Sequence, residues 1–202
     1  MSRSGMNNLI NRLRGLTNAG TAQYTVGTLT YWDNDDLQDA LDRHATWVVE
    51  DYLIWKAQNI GGTMRYFTAL ARYRDLEEAE SGTVRWQVRR TTGTAEGTAN
   101  YTADYINGRV TWSADQGGTT YMLAAAYSYD LYSAAVDVLQ HKLAYVDLWY
   151  DFSADNQSFS RSQVQKSLTD LIAAYKSLAG SNLPNKYGDM GFGQFVRVDI
   201  NI

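Results

Sequence analysis

The chain has no cysteine, a single proline, two histidines and no excess of positive charge. Each shortage removes a class of function. Without cysteine there is neither a disulfide framework nor a thiolate metal site. With 18 Lys+Arg against 22 Asp+Glu and a net charge of −4, the chain lacks the basic balance of a free DNA- or RNA-binding protein. No apolar run approaches the ~20 residues of a membrane span. The first residues lack the apolar centre of a signal peptide, so the expected compartment is a cytoplasm, or a particle assembled there, with no membrane contact. His44 and His141 both fall on expected helices, where they take structural roles. There is no phosphate loop with its lysine, no Gly-x-Ser-x-Gly and no His/Glu zinc motif. The GDMGFGQ stretch at 188–194 follows no strand and opens no helix. The expectation is a protein that is not an enzyme, with no cofactor and no metal.

What is abundant is aromatic. The chain carries 15 tyrosines and 6 tryptophans, and 45% of its residues are hydrophobic. Tyr and Trp suit interfaces, because a large ring can be buried while its polar tip is satisfied, and they suit an aromatic core equally well.

The stretch around which the chain is organised is 130–180, read as two helices joined by the loop DFSADNQSFSRSQ. Leu131, Ala135, Leu139, Leu143, Val146 and Tyr150 recur at steps of four and three, so they share one helical face. The next helix opens on Ser160 as N-cap with Gln163 three residues on, a capping box, and the pair Phe159 and Val164 forms a hydrophobic staple. Val164, Leu168, Leu171, Tyr175 and Leu178 then form a stripe, which Gly180 ends. A short loop between striped helices makes an antiparallel hairpin.

Earlier in the chain, residues 5–16 read as a short amphipathic helix with Met6, Leu9, Ile10, Leu13 and Leu16 on one face. It holds no acidic residue, while Arg3 precedes it and Arg12 and Arg14 lie off the face. Below ~12–15 residues an isolated helix is marginal, so this one needs something to pack against. Residues 17–30 read as an extended linker. A second helix starts at Asp33, with Asp35 and Asp36 in its first turn and Trp32 and Leu37 in staple positions. Leu37, Leu41 and His44 follow at helical spacing. The carboxylates Asp33, Asp35, Asp36, Asp39 and Asp42 do not match an EF-hand loop and are read as a capped, solvated helix start.

From residue 46 the period changes to two. Residues 46–55 and 63–71 read as strands, with Gly61-Gly62 turning into the second. Asp75 to Gly82 reads as an acidic connector. Val84, Trp86 and Val88 alternate with Arg85, Gln87 and Arg89 as a half-buried strand. Asn107-Gly108 suits a two-residue turn that pairs Tyr105 with Val110 and Ala103 with Trp112. Gln116-Gly117-Gly118 makes the next turn, before a strand over 119–127. Short loops favour an antiparallel meander. Residues 181–202 differ again. Pro184 ends any helix, and Val196, Val198, Ile200 and Ile202 alternate with Arg197, Asp199 and Asn201, a strand with no partner in sequence, which either pairs with the β region or adds to another chain.

Three segments carry a resemblance: TANYTADYINGRVTWSADQGGTTYML from 98, YDLYSAAVDVL from 129 and YDFSADNQSFSRSQV from 150. Together they resemble the head–tail adaptor (connector) proteins of tailed bacteriophages, in which a hairpin ending in a Gly-Gly turn precedes a helix and a "yDFSadg-sfsRSq" loop. TYWDNDDLQDALDRH at 30–44 is similar to that family's second helix, and Asn156 stands where glycine is common. The likeness covers roughly half the chain and leaves 181–202 unmatched. It implies a structural virion protein at the portal vertex. Such a protein forms a homo-oligomeric ring, commonly twelve-fold, between the portal protein and the next tail protein (nozzle, stopper or tail tube). Genomic DNA passes through the lumen without sequence-specific binding.

The expected fold is therefore α+β. N-terminal helices and a C-terminal helical hairpin (1–45 and 129–180) form a bundle, 46–128 is an inserted antiparallel β domain, and 181–202 is an extended arm. The hairpin core is assigned to Leu139, Leu143, Val146, Phe159, Val164, Leu168, Leu171 and Tyr175, and the cap to Ser160 and Gln163. The portal-docking arm is assigned to Tyr187, Phe192, Phe195, Val196, Val198, Ile200 and Ile202. A tail or capsid-surface module that grips a glycan or receptor with the aromatic β region is the alternative, and a small DNA-binding protein is disfavoured by charge.

Overall fold

The computed structural model describes residues 2–18, 24–26, 29–81, 84–144 and 161–180. Among them the chain is a mixed α+β protein with four α-helices, two larger antiparallel sheets and a two-stranded ribbon.

The N-terminal apolar stripe folds as read. A 3-10 turn over Ser4–Met6 leads into helix α1, Asn7–Thr17, and Met6, Leu9, Ile10 and Leu13 are all buried, with Leu16 half-buried. Asn18 ends α1 in the left-handed conformation, φ 48°. The partner that this short helix needs lies within its own chain. Its apolar side shares a core with helix α2, Asn34–Asp42, and with the start of helix α3, Leu131–Ala144. Asp33 caps α2 by accepting from the N–H groups of Asp35 and Asp36, both at 2.9 Å, and Trp32 and Leu37 are buried in that core. Helix α2 stops at Asp42, so His44 lies beyond it. Within 17–30, read as a linker, β1 (Tyr24–Val26) and β2 (Leu29–Tyr31) pair as an antiparallel ribbon.

The stretch read as one strand over 46–55 is two. Strand β3, Ala45–Tyr52, and strand β4, Ile54–Ile60, belong to different sheets. The chain changes sheets at Leu53, which is buried and whose N–H donates to the Tyr121 carbonyl at 2.9 Å. Strand β5, Thr63–Leu70, follows Gly61 and Gly62, whose positive φ values make the turn. The sheets are ordered β3-β9-β6 and β4-β5-β8-β7, with β6 at Trp86–Arg90, β7 at Tyr101–Asp104, β8 at Arg109–Trp112 and β9 at Tyr121–Tyr129. This is not the expected meander. Strand β9 returns between β3 and β6, so strands far apart in sequence close the sheet. Between the sheets lies an aromatic core of Trp86, Tyr101, Trp112 and Tyr121 with Val48, Val88, Val110 and Leu123. Val84, expected on the inward face, is exposed.

The Asn107-Gly108 turn is wider than read. Asp104 pairs with Arg109 and Ala103 with Val110, so the loop holds four residues, Tyr105 to Gly108. Asp104 closes it by accepting from the Asn107 backbone N–H at 3.1 Å and from its side-chain amide at 2.9 Å. The two extra residues are needed elsewhere. The carbonyls of Tyr105 and Ile106 accept from Leu76 and Asp75, and Tyr105 meets Trp86 edge-on. Gly108 has φ +63°, and a Cβ there would run into the Tyr73 carbonyl oxygen.

Helix α4, Arg161–Leu178, packs on α3. The Gly180 N–H donates to the Asp130 carboxylate at 2.6 Å, and the Tyr175 ring meets Tyr132 at 5.6 Å, so the end of α4 lies beside the start of α3. Ile172, absent from the sequence stripe, is the buried side chain among those described in α4, with Val136 and Leu139, while Leu168, Leu171 and Tyr175 are half-covered around it. Ile172→Ala should therefore cost about 2–4 kcal/mol and Leu171→Ala clearly less, since a half-covered side chain leaves a smaller cavity. Equilibrium urea unfolding of the two variants checks the order, and a larger loss for Leu171→Ala would place the stripe the other way round.

Candidate functional site

The sequence assignments fall into three groups. Leu139 is buried, Leu143, Val164, Leu168, Leu171 and Tyr175 are half-buried, and Gln163 is exposed. Val146, Phe159 and Ser160 lie outside the described residues, and so do Tyr187, Phe192, Phe195, Val196, Val198, Ile200 and Ile202 of the arm. What the structure assembles instead, with no warning from local sequence pattern, is an ionic seam between the N-terminus and the acidic connector.

Glu77 has a fully buried side chain. The Arg3 guanidinium donates Nε–H to its Oε1 at 2.8 Å and, through Nη1 and Nη2, grips Asp42 at 2.9 and 2.6 Å. Arg3 also donates to the Tyr129 hydroxyl at 3.2 Å, and that hydroxyl in turn donates to Glu77 Oε2. One arginine thus joins α2, the connector and the end of β9. Its protonated form is held far above the ordinary arginine range, first by the Asp42 hydrogen bond. Burial, and then the neighbouring Glu77 carboxylate, push the Tyr129 phenol well above its usual value. The remaining connector residues repeat the theme. Asp75 pairs with Arg12, Glu78 accepts from the Asn8 amide, and Glu80 accepts from the Ser4 hydroxyl at 2.6 Å. The Glu78 N–H donates to the Gly5 carbonyl at 3.1 Å, and a Cβ on Gly5 would stand 2.6 Å from the Glu78 oxygen.

The other face of the helical layer is an open groove between α2 and α3, lined by Trp32, Asp36, Asp39, Arg43, Asp137 and His141. Its charges are largely committed to the fold. Arg43 and His44 both meet Asp137, at 3.3 and 2.9 Å. Asp36 accepts the Trp32 N–H at 2.7 Å. His141 stands edge-on to Trp32 at 5.5 Å. Both histidines thereby tie α3 to the residues that flank α2, Trp32 before it and His44 after it. Of the carboxylates of α2, Asp33 caps and Asp42 holds Arg3. Lys142 lies against the Trp32 ring, 5.4 Å from its centroid, and donates to the Thr17 carbonyl at 2.7 Å.

Large apolar side chains also remain at the surface. Trp47, Val49 and Tyr52 on β3, Ile60 on β4, Met64 on β5 and Leu178 on α4 are exposed. Among the described residues no helix is long and apolar enough to cross a membrane. Comparison with known protein families, with curated proteins and with solved structures finds no match for the chain.

Burial pushes the Lys142 ammonium down to about 8. A depressed lysine binds more protons in the unfolded chain than in the folded one between that value and its ordinary value near ~10.4, so stability rises with pH across the window. The melting temperature of the wild type should climb from pH 7 to pH 9.5 relative to that of Lys142→Met, which retains the stem over Trp32. Parallel melting curves over that range would show the amine to be solvated.

Proposed function

We propose that this chain is a structural virion protein, a head-to-tail adaptor that forms a ring between a portal and the tail and extends the DNA channel. The observation that carries the reading is α4, 18 residues long yet, among its described side chains, anchored by one buried residue, Ile172. Half-covered Leu168 and Leu171 and exposed Leu178 leave it with apolar surface for a neighbour, as a subunit of a ring requires. The motif that opens this helix, YDFSADNQSFSRSQV, is the part of the sequence most similar to the adaptor family. Net negative charge suits a lumen along which DNA slides, since phosphate affinity comes mainly from Lys and Arg.

In this reading 1–45 and 129–180 form a helical bundle whose C-terminal part, α3 and α4, is a hairpin closed by 145–160. Residues 46–128 are the inserted β domain, and 181–202 are the arm that docks on the portal. The ring has about twelve copies, by likeness to the family. Its partners are the portal, the next tail protein and passing DNA, and its place is the portal vertex. A glycan-gripping module is the weaker reading. Four of the aromatics it would use, Trp86, Tyr101, Trp112 and Tyr121, are buried between the sheets.

Electron microscopy of the purified protein with the portal of its own phage should show rings stacked on the portal. Monomers that leave the portal bare would overturn the proposal. Deleting 187–202 should give a folded protein that no longer joins the portal, and retained binding would remove the arm from the account.

A further inference from the structure

Strand β3 lies at the edge of its sheet, and among the described residues no strand pairs with its outer side. Three of its exposed side chains are large and apolar. Trp47, Val49 and Tyr52 are 64%, 49% and 56% exposed. The alternation breaks at Glu50, which has φ +52° and stands opposite Ala124 between the pairs Val49–Ala125 and Asp51–Leu123, with no change of register. Asp51 is buried like Val48, and Tyr52 is exposed like Trp47 and Val49. An open edge with exposed apolar side chains invites pairing, and native proteins cover or blunt such edges.

The course of the chain says what covers this one. The Gly180 N–H is bonded to the Asp130 side chain at 2.6 Å, and the Asp130 N–H to the His44 carbonyl at 3.1 Å. The next residue, Ala45, is the first of β3 and pairs with Tyr129. Gly180, the last described residue before 181–202, therefore lies near the start of the open edge. Residues 181–194 can span ~45 Å when extended, and the eight residues of β3 measure roughly 26 Å, so the segment beyond 194 reaches either end of the edge. That segment, 195–202, matches β3 in length and alternates apolar with polar residues from Val196 to Ile202.

We propose that residues 195–202 add as a strand to the outer edge of β3 of their own chain in the free protein, their apolar side lying beside Trp47, Val49 and Tyr52. Backbone pairing satisfies the N–H and C=O groups of the edge, and the apolar side chains of the two strands cover one another. Tethering favours this partner, because a short link holds the strand at a millimolar effective concentration. Under the adaptor reading, on which this last step alone rests, the strand leaves β3 when it docks on the portal, and these apolar side chains are uncovered only at assembly.

Amide hydrogen exchange followed by NMR on the full chain tests the docking. The comparison is with the full chain carrying Val198→Pro and Ile200→Pro, which removes two backbone donors and the extended pairing. Outward-facing amides of 45–52 should exchange at least tenfold faster in the variant, with β6 and the central strand β9 unchanged. Equal exchange in both proteins would overturn the proposal. So would protection that fades on dilution while light scattering reports dimers, because a second copy would then occupy the edge. No portal is present, so the outcome is independent of the adaptor reading.

Discussion

A carboxylate with no solvent exposure must be compensated, and the position of Glu77 makes that requirement govern the fold. The isolated ion would cost several kcal/mol, and removing one partner of such a buried pair typically costs about 3–5 kcal/mol. Arg3 supplies the charge, Tyr129 a hydroxyl, and Asp42 takes the rest of the guanidinium. To bring these groups together the first residues of the chain must lie across the end of β9 and against α2. That placement sets α1 over the start of α3, where its apolar stripe is buried. Electrostatics fixes the register of the N-terminal segment, and hydrophobic burial supplies most of its stabilisation.

The seam also decides how the helices and strands relate. Asp75, Glu77, Glu78 and Glu80 lie between β5 and β6, yet each bonds to Arg12, Arg3, Asn8 or Ser4. Leu76 adds a bridge to Ser128 of β9. The connector is thus a strut joining the helical layer to the β region. The two hydrophobic clusters meet at β9, where Tyr129 belongs to the helical core and Leu123 and Ala126 to the aromatic one.

Much of this was legible in the sequence where the information is local. The helical stripe of Met6, Leu9, Ile10 and Leu13, the Asp33 cap and the glycine turns at 61–62 and 117–118 depend on neighbours within a few residues, and they form as read. Readings that depended on distant partners were incomplete. The basic, acid-free start and the acidic 75–82 stretch were both visible, but nothing in spacing says that they meet across 74 residues. The widened Asn107-Gly108 loop follows from hydrogen bonds to Leu76 and Asp75, and the sheet change at Leu53 from a bond to Tyr121. On α4 the period-3.6 stripe centred on Leu168 and Leu171, but the helix is rotated so that Ile172 carries the deepest contact. Among the described residues, α4 and β3 both carry exposed apolar side chains.

The central claim, that Arg3 and Glu77 act as one unit, is tested most directly by a double-mutant cycle on unfolding free energy. The variants are Arg3→Met, Glu77→Gln and the two combined. Each single change should destabilise strongly, and the combined variant should lose less than the sum by roughly 1–3 kcal/mol, the range for groups in one network. Strictly additive losses would contradict the account, because the two residues would then stabilise the fold independently.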